Sequence, residues 1–206
     1  MKRARSGPSD AAAGASAAGG AVEDGAVLVF HSRSAAAAPG MGAGESGGPP
    51  ALAATLAAAL APYPDFRRVL SNFYRDAAAP LVVRGATYAT AEHAFHALKL
   101  APTAAAAAAR FARGAPGYVG DDPRAAKRAG GARGLARLAS AERDAWAAAR
   151  AGALVEIWTA KFAPGTRARH VLKATRGAAL VHVVRGAPRE RWAALEALRD
   201  HADEPV

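Results

Sequence analysis

Glu92, Phe95, His96 and Lys99 stand at positions i, i+3, i+4 and i+7, the spacing that lays side chains along one face of a helix. The face combines a carboxylate, an imidazole and an ammonium, with a second imidazole, His93, beside it. Ser71 and Asn72 precede it in a polar Leu70-Ser71-Asn72-Phe73-Tyr74 segment. A polar helix face next to a Ser-Asn loop is what a small catalytic pocket needs, because carboxylates and imidazoles exchange protons. The same spacing describes a solvated helix face. Glu92 also fits as a first-turn helix acid, Ser71 and Asn72 as local backbone caps, and Lys99 as a surface cation.

The elements that must position these groups can be read from caps, breakers and periodicity. Ala26 to Phe30 is a short apolar strand, and residues 34–50, rich in Gly, Pro, Ala and Ser, form a long loop. Leu52 to Leu60 reads as a helix closed by Pro62 and Pro64. Leu81-Val82-Val83 and Ala86-Thr87-Tyr88 flank Arg84-Gly85 as a tight hairpin. Thr90 is the expected N-cap of the Glu92 helix. Further helices are expected over Ala104–Ala112, capped by Thr103, and from Asp122-Pro123 to Gly130-Gly131. Others run to about Phe162, capped by Ser140, and from Thr166 to Arg176, stopped by Gly177. Lys161 falls in the last turn of its helix, where the dipole favours a cation. Leu180 to Val184 reads as a strand, and Pro188 as the opening of the last helix. A few strands among many helices give an α+β, helix-dominated single domain with a small sheet over residues 22–206, preceded by a flexible tail at 1–21.

Composition narrows the chemistry. Among 206 residues there is no cysteine, which removes disulfides, thiolate nucleophiles and cysteine-ligated zinc. The six histidines form no His-Glu-x-x-His pattern, so neither a metal nor another cofactor is expected. The formal charge is +10, which suits phosphorylated partners or nucleic acid. The arginines read as scattered, and the abundance of Arg, Ala, Gly and Pro follows GC-rich codons, so a dedicated nucleic-acid surface is the less favoured reading. No run of about 18 apolar residues exists to span a membrane, and the N-terminus lacks a leucine-rich secretory core. An intracellular, cytoplasmic protein is expected, with organelle targeting by the basic tail left open.

Two blocks together resemble the signature of the NADAR (YbiA-like) family. The first is Leu70–Tyr74 followed by Gly85-Ala86-Thr87-Tyr88-Ala89-Thr90-Ala91-Glu92-His93-Ala94-Phe95-His96-Ala97-Leu98-Lys99. The second is Trp146 ahead of Lys161-Phe162, then Leu172, Thr175, Ala178 and Leu180. Phe30-His31-Ser32-Arg33-Ser34 with Pro39-Gly40 is similar to the opening of some members, so the resemblance spans about Val22 to Arg199.

The resemblance implies an N-glycosidase acting on phosphorylated ribosylamines of the riboflavin pathway, or on ADP-ribosyl or nucleotide derivatives. It makes Glu92 the catalytic carboxylate and Trp146 a wall of the substrate pocket. The chemistry is compatible, since a carboxylate stabilises an oxocarbenium-like state and an aromatic face stacks on a base. Lys99, Asn72, Ser71 and His96 would bind substrate, through phosphate or ribose hydroxyls in the case of Lys99 and Asn72.

The chain departs from the family pattern at its acidic pair. The first acidic position falls at His182, a possible acid/base group, and the aspartate position falls at Ala187. The family's Trp-Gly-x-Gly motif does not occur, and Trp192 is no clear substitute. Glu142 and Asp144, near Trp146, are the other candidate carboxylates. Two rival readings follow: a catalytically reduced ADP-ribose or nucleotide-binding module, from Ala187, and a basic nucleic-acid-binding accessory protein, from charge alone.

Overall fold

The computed structural model describes residues 25–184 and 188–201. The expected tail at 1–21 and the Ala187 position lie outside the described residues. The class is α+β with helices dominant. Strand β1 (Ala26–Phe30) leads into a long loop and α1 (Pro50–Leu60), then α2 (Phe66–Leu70). The hairpin β2 (Leu81–Val83) and β3 (Ala86–Tyr88) precedes α3 (Ala91–Leu100), α4 (Ala105–Ala109) and α5 (Pro123–Ala129). The 22-residue α6 (Ser140–Lys161) is followed by α7 (Arg167–Ala174), β4 (Ala178–His182), β5 (Glu190–Arg191) and α8 (Ala193–Asp200). None of the described helices is long and apolar enough to cross a membrane.

β4 is central in a three-stranded sheet, parallel to β1 and antiparallel to β5. The helices and the hairpin pack into two apolar layers. One packs Phe30, Phe66, Leu180 and Trp192 around the sheet with α1, α2, α7 and α8. The other packs Leu100, Phe111 and Ile157 between α3, the hairpin and α6. Phe95 of α3 packs against both, so the helix that carries Glu92 is wedged at their junction.

The hairpin turn is the one the sequence predicts, and several other boundaries differ for identifiable reasons. Arg84 and Gly85 both take positive φ, 49° and 76°, as a tight two-residue hairpin turn requires. Thr90 is the N-cap of α3, but its hydroxyl does not cap a backbone N–H. It lies 2.8 Å from His93 Nδ1, whose Nε2 is 2.8 Å from the Gly120 carbonyl. A carbonyl only accepts, so Nε2 carries the proton and the Thr90 hydroxyl donates to the uncharged ring. α4 is capped by Ala104 rather than Thr103 and is only five residues long.

Ser140 is the first residue of α6, and Ala139 occupies the cap position, its N–H donating to Glu142 at 2.6 Å. The strand expected at Leu180–Val184 is β4, two residues earlier. Pro188 opens no helix: it precedes β5, and Trp192 caps α8. The expected loop at 34–50 is anchored from inside. Glu45, its side chain fully buried, accepts from the N–H groups of Val29, Gly40 and Gly42 and forms an ion pair with Arg67 at 2.6 Å.

Candidate functional site

The first turn of a helix has N–H groups without intrahelical partners. In α3 the Glu92 N–H donates to the Asn72 carbonyl at 3.0 Å, so the Ser-Asn loop is fastened to the helix start. The loop is gripped from the other side by α6. Lys161 Nζ donates to the carbonyls of Leu70, at 3.0 Å, and Ser71, at 2.7 Å. Trp158, one helical step earlier, donates its indole N–H to Asn72 Oδ1 at 3.2 Å. Lys161 is therefore no ordinary helix-end cation. Its ammonium is buried, and burial drives its pKa well below the usual lysine range. Ser71 is also buried, and its hydroxyl accepts from the Phe73 N–H at 3.1 Å.

The Glu92 side chain is 12% exposed. His96 Nε2 lies 3.3 Å from Glu92 Oε1, and since a carboxylate only accepts, the ring donates. Ring Nδ1 of His96 is buried without a partner among the described residues. The ring is enclosed by Phe95 and Phe111, with centroids at 5.3 and 5.8 Å, and by Gly130, where a Cβ would overlap it. His96 thus orients Glu92 from within the packing.

His182, at the end of β4, is the second titratable group of this region. Burial pushes its pKa down to about 4. The carboxylates of Glu190 and Glu92 pull it up, and Lys127 and His31 push it further down. The His182 ring stacks on Trp192 at 4.3 Å and tilts against Phe30 at 5.4 Å. Trp192 in turn meets Trp158 at 4.5 Å, closing a chain of contacts from His182 through two indoles to Asn72. With a pKa near 4 the ring is uncharged at neutral pH, so of the acid/base pair of roles the base is the available one.

The residues expected to form one pocket divide into two groups. Glu92, His96, Asn72 and Ser71 cluster at the N-terminal end of α3. Lys99 and Trp146 border a different space, a cavity of about 620 Å³ between the C-terminal half of α3 and α6, which Glu92 and Asn72 do not line. Phe95 stands between the groups, its ring edge-on to Trp146 at 5.1 Å. Lys99 Nζ donates to the Gly130 carbonyl at 2.9 Å, and burial lowers its pKa. Glu142 lines this cavity and Asp144 is exposed, so neither joins Glu92.

Trp158, Lys161 and Lys127 were not singled out as site residues by the sequence. Trp158 and Lys161 carried a signal: with Leu154 and Ile157 they form the i, i+3, i+4, i+7 stripe that α6 buries. Lys127 carried none, being one basic residue among many.

No family model matches this chain, and no curated protein matches it. Among solved structures it is similar to the NMR structure of the E. coli protein YbiA. The identity is 26%, the alignment covers 67% of this chain and 79% of that one, and the TM-score is 0.49. Overlap that loose carries no argument about the site, and the assignment of roles rests on this chain's own residues.

Proposed function

We propose that this chain hydrolyses the N-glycosidic bond of a phosphorylated ribosylamine or of an ADP-ribosyl or nucleotide derivative. The observation that carries the reading is the setting of Glu92: a partly exposed carboxylate, oriented by the His96 N–H and by the Asn72 carbonyl on its own N–H. In this reaction the bond between the anomeric carbon and nitrogen breaks, and the electron pair leaves with nitrogen. Glu92 stabilises the positive charge left on the sugar. Water adds to the anomeric carbon, His182 accepts its proton, and the leaving nitrogen takes a proton from solvent. Lys99 and Trp146 bind substrate from the neighbouring cavity, the ammonium on an anionic group and the indole on a heterocycle. They contribute to KM rather than to the chemical step.

The test is release of free base from phosphoribosylamino-pyrimidine and ADP-ribosyl substrates by the wild type and by Glu92→Gln. The amide keeps shape and hydrogen bonding but loses the charge. Equal turnover by both removes Glu92 from the mechanism. Ligand binding without turnover by the wild type replaces hydrolysis with the binding-module reading.

A further inference from the structure

Many arginines of this chain are consumed internally. Arg67 pairs with Glu45, Arg84 with Glu156, Arg113 with Asp121, Arg167 with Asp65, Arg191 with Glu196 and Arg199 with Asp200. One stretch is different. Arg124, Lys127 and Arg128 stand at i, i+3 and i+4 on α5, and Arg133 and Arg137 follow before α6. All five are exposed. Residues 123–139 contain no acidic residue. The carboxylates that flank the stretch in sequence are engaged: Asp121 by Arg113, Tyr118 and Arg75, Asp122 by the Arg124 N–H, and Glu142 by the Ala139 N–H. None of the five forms an ion pair with a carboxylate among the described residues. The positive charge that the sequence spreads over the chain is left uncompensated here.

An aromatic ring adjoins the strip. Lys127 Nζ stands 5.8 Å from the ring centroid of Phe73. Phe73 is partly exposed and follows Asn72 in the Ser-Asn loop. A stretch of uncompensated cations with an accessible aromatic face beside one of them, Lys127, is the arrangement that binds single-stranded nucleic acid, with phosphates on the cations and a base on the ring. A cation row alone would take any polyanion; the ring beside it favours one that carries bases. We propose that the strip from Arg124 to Arg137, together with Phe73, binds single-stranded nucleic acid. The inference stands on the charge distribution and is independent of the hydrolase reading.

The experiment is fluorescence anisotropy of a labelled oligothymidylate with the full chain across a salt series. Wild-type affinity falls with salt, and each strip cation replaced by Gln makes the slope shallower by about 0.7. Phe73→Ala weakens oligothymidylate binding by about tenfold or more and leaves the slope unchanged. It does not alter binding of heparin, a polyanion without bases. Gln at Arg84, Arg150 and Arg167, which are paired elsewhere, leaves both affinity and slope in place. Circular dichroism confirms that each variant is folded, as expected for exposed positions. Absence of wild-type binding at low salt overturns the proposal. So does an unchanged slope in the variant with all five replaced, or equal losses in the control. Loss of heparin and oligothymidylate binding alike, with no effect of Phe73→Ala, makes the strip a site for polyanions in general and overturns the nucleic-acid assignment.

Discussion

At the N-terminal end of α3, Glu92 is held in a closed setting: its N–H on the Asn72 carbonyl, its carboxylate on His96, and the Ser-Asn loop pinned by Trp158 and Lys161. At the C-terminal end of the same helix, Lys99 and Trp146 border about 620 Å³ of open room, and Lys99 has one carbonyl partner. The first region is pre-organised, which is what electrostatic stabilisation of a transition state requires. The second offers volume and contact area, which is what binding requires. Helical phase places Glu92, Phe95, His96 and Lys99 on one face of α3. The ring of Phe95, edge-on to Trp146, then divides that face into two adjoining regions.

The widest separation between the regions is expected in turnover. Glu92→Gln lowers N-glycosidase kcat by on the order of 10² or more, the scale of one electrostatic or acid–base contribution. Stability changes by only about 0.3–1 kcal/mol, because what is lost is a first-turn helix charge. Paired kinetic and thermal-unfolding measurements check both. A loss of activity matched by unfolding would mean that Glu92 is structural.

Two glycines probe the packing next. A Cβ on Gly130 would overlap the His96 ring, whereas at Gly152, on the wall of the open cavity, nothing lies within 4 Å. Gly130→Ala should cost about 1–3 kcal/mol, as an overpacked core position does, and displace the His96–Glu92 pair. Gly152→Ala should stabilise by about 0.4–1 kcal/mol, since the helix accepts the methyl and the unfolded chain loses freedom. Denaturant melts of the two variants give the comparison directly. Similar behaviour would erase the difference in packing between the two ends.

Trp146→Ala should act on the open region alone. KM is expected to rise by about tenfold, the value of one lost base stack, with kcat nearly constant. A large fall in kcat instead would merge the two regions into one catalytic site.

Much of this scaffold was legible in the sequence because it depends on local chemistry. The Arg84-Gly85 turn, the Asp122-Pro123 helix start and the Gly130 stop follow from backbone preferences of individual residues. The fastening of the Ser-Asn loop was not legible. It depends on Lys161 reaching back some 90 residues in sequence to two main-chain carbonyls, and a carbonyl leaves no mark in a sequence. Thr90 was read correctly as the cap position but not in its use, because His93 sits close enough to take its hydroxyl. The short α2 and the two-residue β5 fall below the length at which periodicity speaks. The division between Glu92 and Lys99 depends on ring packing in the third dimension, which a helical wheel does not contain.

The smallest expected effect concerns protons. A free histidine titrates near 6.5, and His182 in the folded chain is pushed down to about 4 by burial, against the upward pull of Glu190 and Glu92 and with the downward push of Lys127 and His31. Between those values the unfolded chain binds a proton that the folded chain refuses. The stability linked to this group is therefore complete above about pH 6.5 and is lost as pH falls toward 4. Burial also lowers the pKa of His93, which adds a loss of the same sign, so the melting curve alone does not isolate His182. A ring-resonance titration does. A midpoint near 4 that rises when Lys127 is replaced by Gln places His182 among the charges named here. A midpoint near 6.5 would show the ring to be solvated and remote from them. If His182 accepts the proton of the attacking water, kcat/KM should be flat through neutral pH and fall only on approach to 4, where the imidazolium forms. An acid limb near 6.5 would transfer the base to another group and leave His182 as packing against Trp192 and Phe30.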